Sequence, residues 1–476
     1  MRKSGAYPLE LSGEAFTRLV NEATTRLAHF LDTLPEQPAS GLDDVAARAR
    51  AVVEPLPEHG TPAEELLTQL FESVFPVSLN TTSAGYLAYI PGGGLPHAAV
   101  ADLISLTLNR YVGLWAVAPV VAEIEATVIR WLCALVGFSG DTGGFLTSGG
   151  SLANWSALVL ARDKGAPEDF ERAVVYTSDQ AHHSVAKAAR LAGFRNARVR
   201  QIGTDAAGRI ELPALAHHIT SDRRAGLQPL VVVAQGGSTN TGAVDDLEQL
   251  ADLAERERMW LHVDAAYGGF FLLTDHGRAV LRGIQRADSV TLDPHKGLFL
   301  PYGTGCLLAK RRADLHQVFA GRGEYMTARA SGEFTDFCDL SPELSRDFRG
   351  LRLWLPLKMH GVAPFRELLD EKLHLTRYAA DELRKLPGIK VVMEPTLSVV
   401  AFRYDHSALS DQELDERNQQ LLDRVNRQRR VVLSSTRLNG RVVLRICVLS
   451  FRTHRDRVDE CLECIRRGLE SLDSVA

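Results

Sequence analysis

Between about residue 80 and residue 350, short runs of apolar and β-branched residues alternate with longer stretches whose apolar positions recur at helical spacing. The short runs predict strands at 144–147, 173–177, 197–202, 230–234, 260–264, 289–292 and 305–309. Helical spacing predicts helices over 151–162, 184–191 and 247–257 among others. Strands and helices in alternation build a mostly parallel sheet covered on both faces, so the expected class is α/β.

The two ends of the chain read differently. Apolar positions over 14–34 fall at helical spacing, and the Pro/Gly-rich, polar stretch 37–61 reads as a connector. After a helix that opens near Arg349, the order is helix, strands at 389–392 and 398–403, helix, strands at 431–434 and 442–448, then a helix over 457–472. That pattern is a small α+β domain. The expected division is 1–80 as a helical segment, 81–355 as the large domain and 356–476 as the small one.

Composition narrows the class. With 45% hydrophobic and 24% charged residues, the 476-residue chain has the mixture of a soluble globular protein, and its length suits about two or three domains. Its 54 Lys+Arg against 59 Asp+Glu leave a net charge of −5, which argues against a nucleic-acid or anionic-membrane surface. Six cysteines do not make a disulfide scaffold in a chain this long. Cys461 and Cys464 form a CxxC, but their surroundings read as a helix face, and no metal site is expected. The N-terminus lacks the apolar stretch of a signal peptide, and the most apolar window, 116–138, contains Glu123, Glu125 and Arg130. A cytoplasmic protein without membrane spans is expected.

Ligands of parallel α/β sheets bind at the carboxyl ends of the strands, so the residues after each strand matter most. After 144–147 comes Ser148-Gly149-Gly150-Ser151, opening a helix as an anion cradle or as a plain Gly-rich N-cap. After 173–177 comes Ser178-Asp179-Gln180-Ala181-His182, where the imidazole either faces the crevice or is structural. Asp264 ends an apolar strand in His262-Val263-Asp264-Ala265-Ala266-Tyr267-Gly268-Gly269, as a buried carboxylate in want of a cationic partner or as an Asx turn. Lys296, in Asp293-Pro294-His295-Lys296, follows another strand end. Loss of hydration there should lower its pKa and make it a nucleophile for a carbonyl, although most lysines are simply exposed. Together these groups supply what pyridoxal 5′-phosphate needs: a phosphate site, a ring partner, an acid for the ring nitrogen and an amine for the aldehyde. Neither GxGxxG nor GxxxxGK[ST] is present to support a nucleotide site.

These motifs, with Thr147-Ser148-Gly149-Gly150-Ser151, resemble the group II pyridoxal-phosphate-dependent amino-acid decarboxylases, the family of aromatic-L-amino-acid and glutamate decarboxylases, from about Tyr86 to the C-terminus. The resemblance implies fold type I, similar to aspartate aminotransferase, with a small α+β C-terminal domain. It implies a homodimer with shared active sites, on whose partner the N-terminal segment packs. It implies conversion of a small-molecule L-amino acid to its amine and CO2. It assigns Lys296 to the internal aldimine, Asp264 to the ring nitrogen, His182 and Ala266 to the two ring faces, and Gly150, Ser151 and His295 to the phosphate. Thr239, or its neighbour Ser238, falls near the cofactor's phenolic oxygen. Counting along the family pattern places the catalytic loop tyrosine at Tyr325, in a glycine-rich polar stretch suited to a lid.

The chain departs from the family in two places. Asp293 stands where animal members often carry Asn, and Gly92-Gly93-Gly94 follows Tyr89-Ile90-Pro91 where bulkier residues are common. Three glycines there are expected to widen or loosen the substrate pocket. Arg445 resembles an arginine near the family's active site, with a structural salt bridge as the other reading. Tyr86, Tyr89 and Trp115 are candidate pocket walls or core residues. Other outcomes on the same scaffold are a decarboxylating aldehyde synthase, a carbon–carbon lyase, an aminotransferase, or a cofactor-binding protein without catalysis. Tyr325 favours simple decarboxylation over the aldehyde route.

Overall fold

The computed structural model describes residues 9–165, 170–321, 323, 324, 326 and 334–473. Seven strands form the large sheet: β1 (Gly143–Thr147), β2 (Ala173–Ser178), β3 (Val199–Ile202), β4 (Gln228–Gln235), β5 (Trp260–Asp264), β6 (Ser289–Leu292) and β7 (Gly305–Ala309). Their order is β1-β7-β6-β5-β4-β2-β3. β7 runs antiparallel to both of its neighbours, and the other pairings are parallel. β1, β2, β6 and β7 are buried along their whole length, and β4 and β5 at every residue but the first, as a sheet covered on both faces requires. The carboxyl ends of β1, β2, β4, β5 and β6 therefore open on one edge, where β7 begins.

The predicted strands hold with small shifts. Residues 197 and 198 of the expected third strand belong instead to a short 3-10 turn, Asn196–Arg198, and the strand starts at Val199. The expected connector over 37–61 contains a short helix, Val45–Ala51. The N-terminal helix spans Gly13–Thr33, with the Ser12 hydroxyl accepting from the Ala15 N–H.

The second sheet is antiparallel, in the order β10-β11-β9-β8, from β8 (Ile389–Val391), β9 (Val399–Tyr404), β10 (Ser434–Leu438) and β11 (Arg441–Cys447). One expectation fails here. The strand expected at 431–434 lies at Ser434–Leu438, a largely polar stretch that begins where the apolar run stops. Val432 instead exchanges backbone hydrogen bonds with Gly85 and Leu87, and Cys447 donates to the Leu87 carbonyl. A segment some 345 residues away thus satisfies the apolar run, and the hairpin forms beyond it. Cys461 and Cys464 are buried on the helix Arg455–Asp473, where they pack among Leu462, Ile465 and Leu469.

Candidate functional site

At the shared strand-end edge lies a cavity of about 270 Å³. Each strand delivers a different group to it. β1 leads through Ser148 and Gly149 into the helix Gly150–Gly165, where the Gly149 carbonyl takes the Leu152 and Ala153 N–H groups and the Gly150 and Ser151 N–H groups have no carbonyl one turn behind them. β2 leads to His182, β4 to Gln235 and Thr239, β5 ends on Asp264, and β6 leads to Asp293, His295 and Lys296. Gly150 must stay small. A Cβ there would stand 2.9 Å from the Asp293 carboxylate and 3.2 Å from the Ala266 methyl.

Asp264 is buried, accepting from the Asn154 amide at 2.8 Å and from the Ala266 N–H at 3.2 Å. Lys296 Nζ lies 3.0 Å from Asp293 Oδ2, and His295 Nε2 lies 3.7 Å from the same oxygen. This pairing corrects the expectation for Lys296. Burial does push its pKa down, but the Asp293 and Asp264 carboxylates outweigh burial and hold it above the usual lysine value. The half-buried His182 imidazole is shifted the other way. Its burial, with Lys296 and His183 nearby, outweighs the attraction of Asp264 and Asp293 and lowers its pKa, favouring the neutral ring.

The remaining candidates fall at or beyond the margin. Thr239 lines the cavity, whereas the Ser238 hydroxyl is tied to Thr241 at 2.9 Å. Arg445 is buried with its donors taken up locally. Nε donates to the Asn240 carbonyl at 2.9 Å, Nη1 to Ser434 Oγ at 2.8 Å, and Nη2 to the carbonyls of Thr239 and Tyr89. Trp115 stacks on Phe334 at 4.0 Å between centroids. Tyr86 is buried, and burial together with the Tyr302 and Tyr89 phenols pushes its own phenol above the ordinary range. None of Arg445, Trp115, Tyr86 and Tyr89 lines the 270 Å³ cavity. Tyr325 lies outside the described residues.

Of the glycines 92–94, expected to widen or loosen the substrate pocket, Gly92 and Gly93 lie hard against their neighbours. A Cβ on Gly92 would stand 1.9 Å from the His295 carbonyl oxygen, and one on Gly93 would stand 2.6 Å from Ser450 Oγ. Gly92 lets the segment lie directly against the turn that carries Lys296. The sequence reading also missed Asn154, Ser184 and Gln235, all on the cavity wall, and His262 behind it. Signals existed for two of them. Asn154 is one helical turn past Gly150, and His262 is two residues before Asp264 on a strand, hence on the same face.

The cavity has the features that pyridoxal phosphate requires. Gln235 Nε2 and Asp293 Oδ1 are buried there without hydrogen-bond partners, beside an amine, a buried carboxylate and a helix N-terminus. The pyridoxal-dependent decarboxylase conserved domain matches residues 49–405. The chain belongs to the pyridoxal-dependent decarboxylases. It is 37% identical to the aromatic-L-amino-acid decarboxylase of Bacillus atrophaeus, over 98% of this chain and 97% of that one. Among solved structures it is similar to Oryza sativa TDC with PLP and tryptamine, at a TM-score of 0.92 and 28% identity, over 98% of this chain and 99% of that one. It is also similar to Catharanthus roseus tryptophan decarboxylase in complex with L-tryptophan, at a TM-score of 0.90 and 26% identity, over 97% and 99%. This decarboxylase is therefore a fold type I enzyme that removes CO2 from an amino acid, and its cofactor is pyridoxal phosphate.

Proposed function

We propose that Lys296 is the residue that captures the cofactor's aldehyde, and that the substrate is an aromatic L-amino acid. One observation carries the first part: the Lys296 amine and the Asp264 carboxylate line the same cavity, opposite a helix N-terminus. When bound, pyridoxal phosphate supplies an electron sink for the bond pair that departing CO2 leaves behind. The chain does the rest. The N–H groups of Gly150 and Ser151, with His295, hold the phosphate. Asp264 holds the proton of the ring nitrogen. His182 and Ala266 confine the ring, and Thr239 takes the phenolic oxygen. The substrate class is supported by the aromatic-L-amino-acid decarboxylase relative and by the aromatic residues gathered beside Lys296: the Tyr302 ring is 5.6 Å from that of His295, with Tyr86 and Tyr89 near it.

We further propose a homodimer acting in the cytoplasm. Leu103, Leu106 and Leu108 on one helix, with Val117 and Val120 beyond it, expose apolar surface that a second copy would cover. Among the described residues no helix is long and apolar enough to cross a membrane. A hydrophobic cluster drawn, Leu87 apart, from residues 375–472 supports a small domain at 356–476 beside a large one at 81–355, after an N-terminal segment at 1–80. Two assays on the cofactor-loaded enzyme test the reading. In a screen of L-amino acids for CO2 and amine release, aromatic substrates should dominate, and preference for an acidic or basic one removes the substrate proposal. Lys296→Ala should lose both turnover and the visible band of bound cofactor, and persistence of that band rejects Lys296 as the anchor.

A further inference from the structure

A single buried chain of hydrogen bonds runs behind the site and branches at Asn154. It begins at Trp260, whose Nε1–H reaches Ser289 Oγ at 2.9 Å. Ser289 Oγ is 2.9 Å from His262 Nδ1, and His262 Nε2 is 3.1 Å from Asn154 Oδ1. The Asn154 amide nitrogen then faces two groups, Asp264 Oδ2 at 2.8 Å and Ser184 Oγ at 3.1 Å. Ser184 Oγ lies 2.8 Å from His182 Nδ1.

The two ends of this chain set its direction. An indole N–H can only donate, and a carboxylate can only accept. Ser289 therefore accepts from Trp260, and it gives its own hydrogen to His262 Nδ1 when that ring is neutral with its hydrogen on Nε2. His262 is wholly buried, and burial pulls its pKa down to about 4, so the ring is neutral with its one hydrogen on Nε2. That hydrogen goes to Asn154 Oδ1, with the Thr291 hydroxyl at 3.4 Å as a weaker second neighbour. The Asn154 amide cannot be turned round, because its oxygen would then face the Asp264 carboxylate. One of its hydrogens serves Asp264 and the other serves Ser184, which leaves the Ser184 hydrogen for His182 Nδ1.

Building on the proposed roles of Asp264 and His182, we propose that Asn154 is a positioning residue that couples the two: it fixes Asp264 as an acceptor and His182 as the tautomer with hydrogen on Nε2. His182 then offers the cavity a hydrogen-bond donor and not a base. His262, Ser289 and Trp260 hold Asn154 in the one orientation that does both.

A neutron crystal structure of the cofactor-loaded enzyme reads the hydrogens directly. Deuterons are expected on Nε2 of both His182 and His262, and a deuteron on Nδ1 of either ring overturns the proposal. Two variants test the branch in solution. Asn154→Asp replaces the donor beside Asp264 with an acceptor, and the dissociation constant of pyridoxal phosphate should rise about 10–100-fold. Ser184→Ala cuts only the arm to His182, so the 15N signals of His182 should move while cofactor affinity falls less than in Asn154→Asp. Unmoved His182 signals, or equal affinity losses in the two variants, overturn the coupling. The visible band separates this inference from the function beneath it. A loaded enzyme with a normal band but the other His182 tautomer sinks the coupling alone, whereas a band that survives Lys296→Ala sinks the anchor.

Discussion

Lys296 and Asp293 face one another across 3.0 Å with the carboxylate almost fully buried. An amine attacks a carbonyl only as the free base, and a neighbouring carboxylate stabilises the ammonium form instead. Asp293 and Asp264 together raise the lysine pKa despite burial, so little free base is present at neutral pH. Asp293→Asn keeps the size and removes the charge. The lysine should then release its proton at lower pH, and cofactor capture by the apoprotein at pH 7 should become faster. Stopped-flow traces of the visible band across pH check this. A slower capture with an unshifted pH profile would mean that Asp293 acts through placement and not through charge. The sequence marked Asp293 as a departure and Lys296 as the nucleophile, but the lowered pKa expected for the lysine has the wrong sign. That sign depends on two carboxylates from different strand ends, whose distances no linear pattern contains.

At the scale of elements, the glycines at 92–94 give a graded test. Gly92 packs on the His295 carbonyl and Gly93 on Ser450 and Phe451, while a Cβ on Gly94 meets nothing within 4 Å. Gly92→Ala must displace the turn that carries Lys296, and overpacking of this kind costs about 1–3 kcal/mol. Gly94→Ala carries only the strain of its φ of +66°, about 1–2 kcal/mol. Thermal unfolding should therefore show a loss for both, but weakened cofactor binding should appear for Gly92→Ala and not for Gly94→Ala. Equal cofactor affinity in the two variants would deny that the segment braces the turn. The large sheet was legible because its strands are locally apolar and its helices locally amphipathic. The run Val431-Val432-Leu433 was equally apolar, yet its partner is Gly85–Leu87 and not the next strand. Local periodicity reports burial well. It does not report which distant backbone meets the hydrogen bonds, and the same limit hid the Asn154 branch.

For the molecule as a whole, the buried network makes stability depend on pH, and the sign follows from His262. Its folded pKa is about 4, below the ordinary 6.5 of an exposed imidazole. The unfolded chain thus binds a proton in this window that the folded chain refuses, and stability is full above about pH 6.5 and lost as pH falls toward 4. Between pH 7 and pH 5 the loss from this residue is about 2 kcal/mol. His182 is shifted in the same direction. Asp245 opposes them: desolvation raises its carboxyl to about 6, so its folded form gains protons, and stability, as pH falls through that value. The raw pH curve of the native protein therefore mixes contributions of both signs, and only a difference isolates the histidine. His262→Asn removes the titrating ring, whatever it costs in overall stability. The variant should begin less stable at pH 7 and then lose less than the native protein on going to pH 5, so the two unfolding midpoints converge. Parallel curves would mean that the folded and unfolded chains take up the His262 proton alike, and would deny that burial holds this ring neutral.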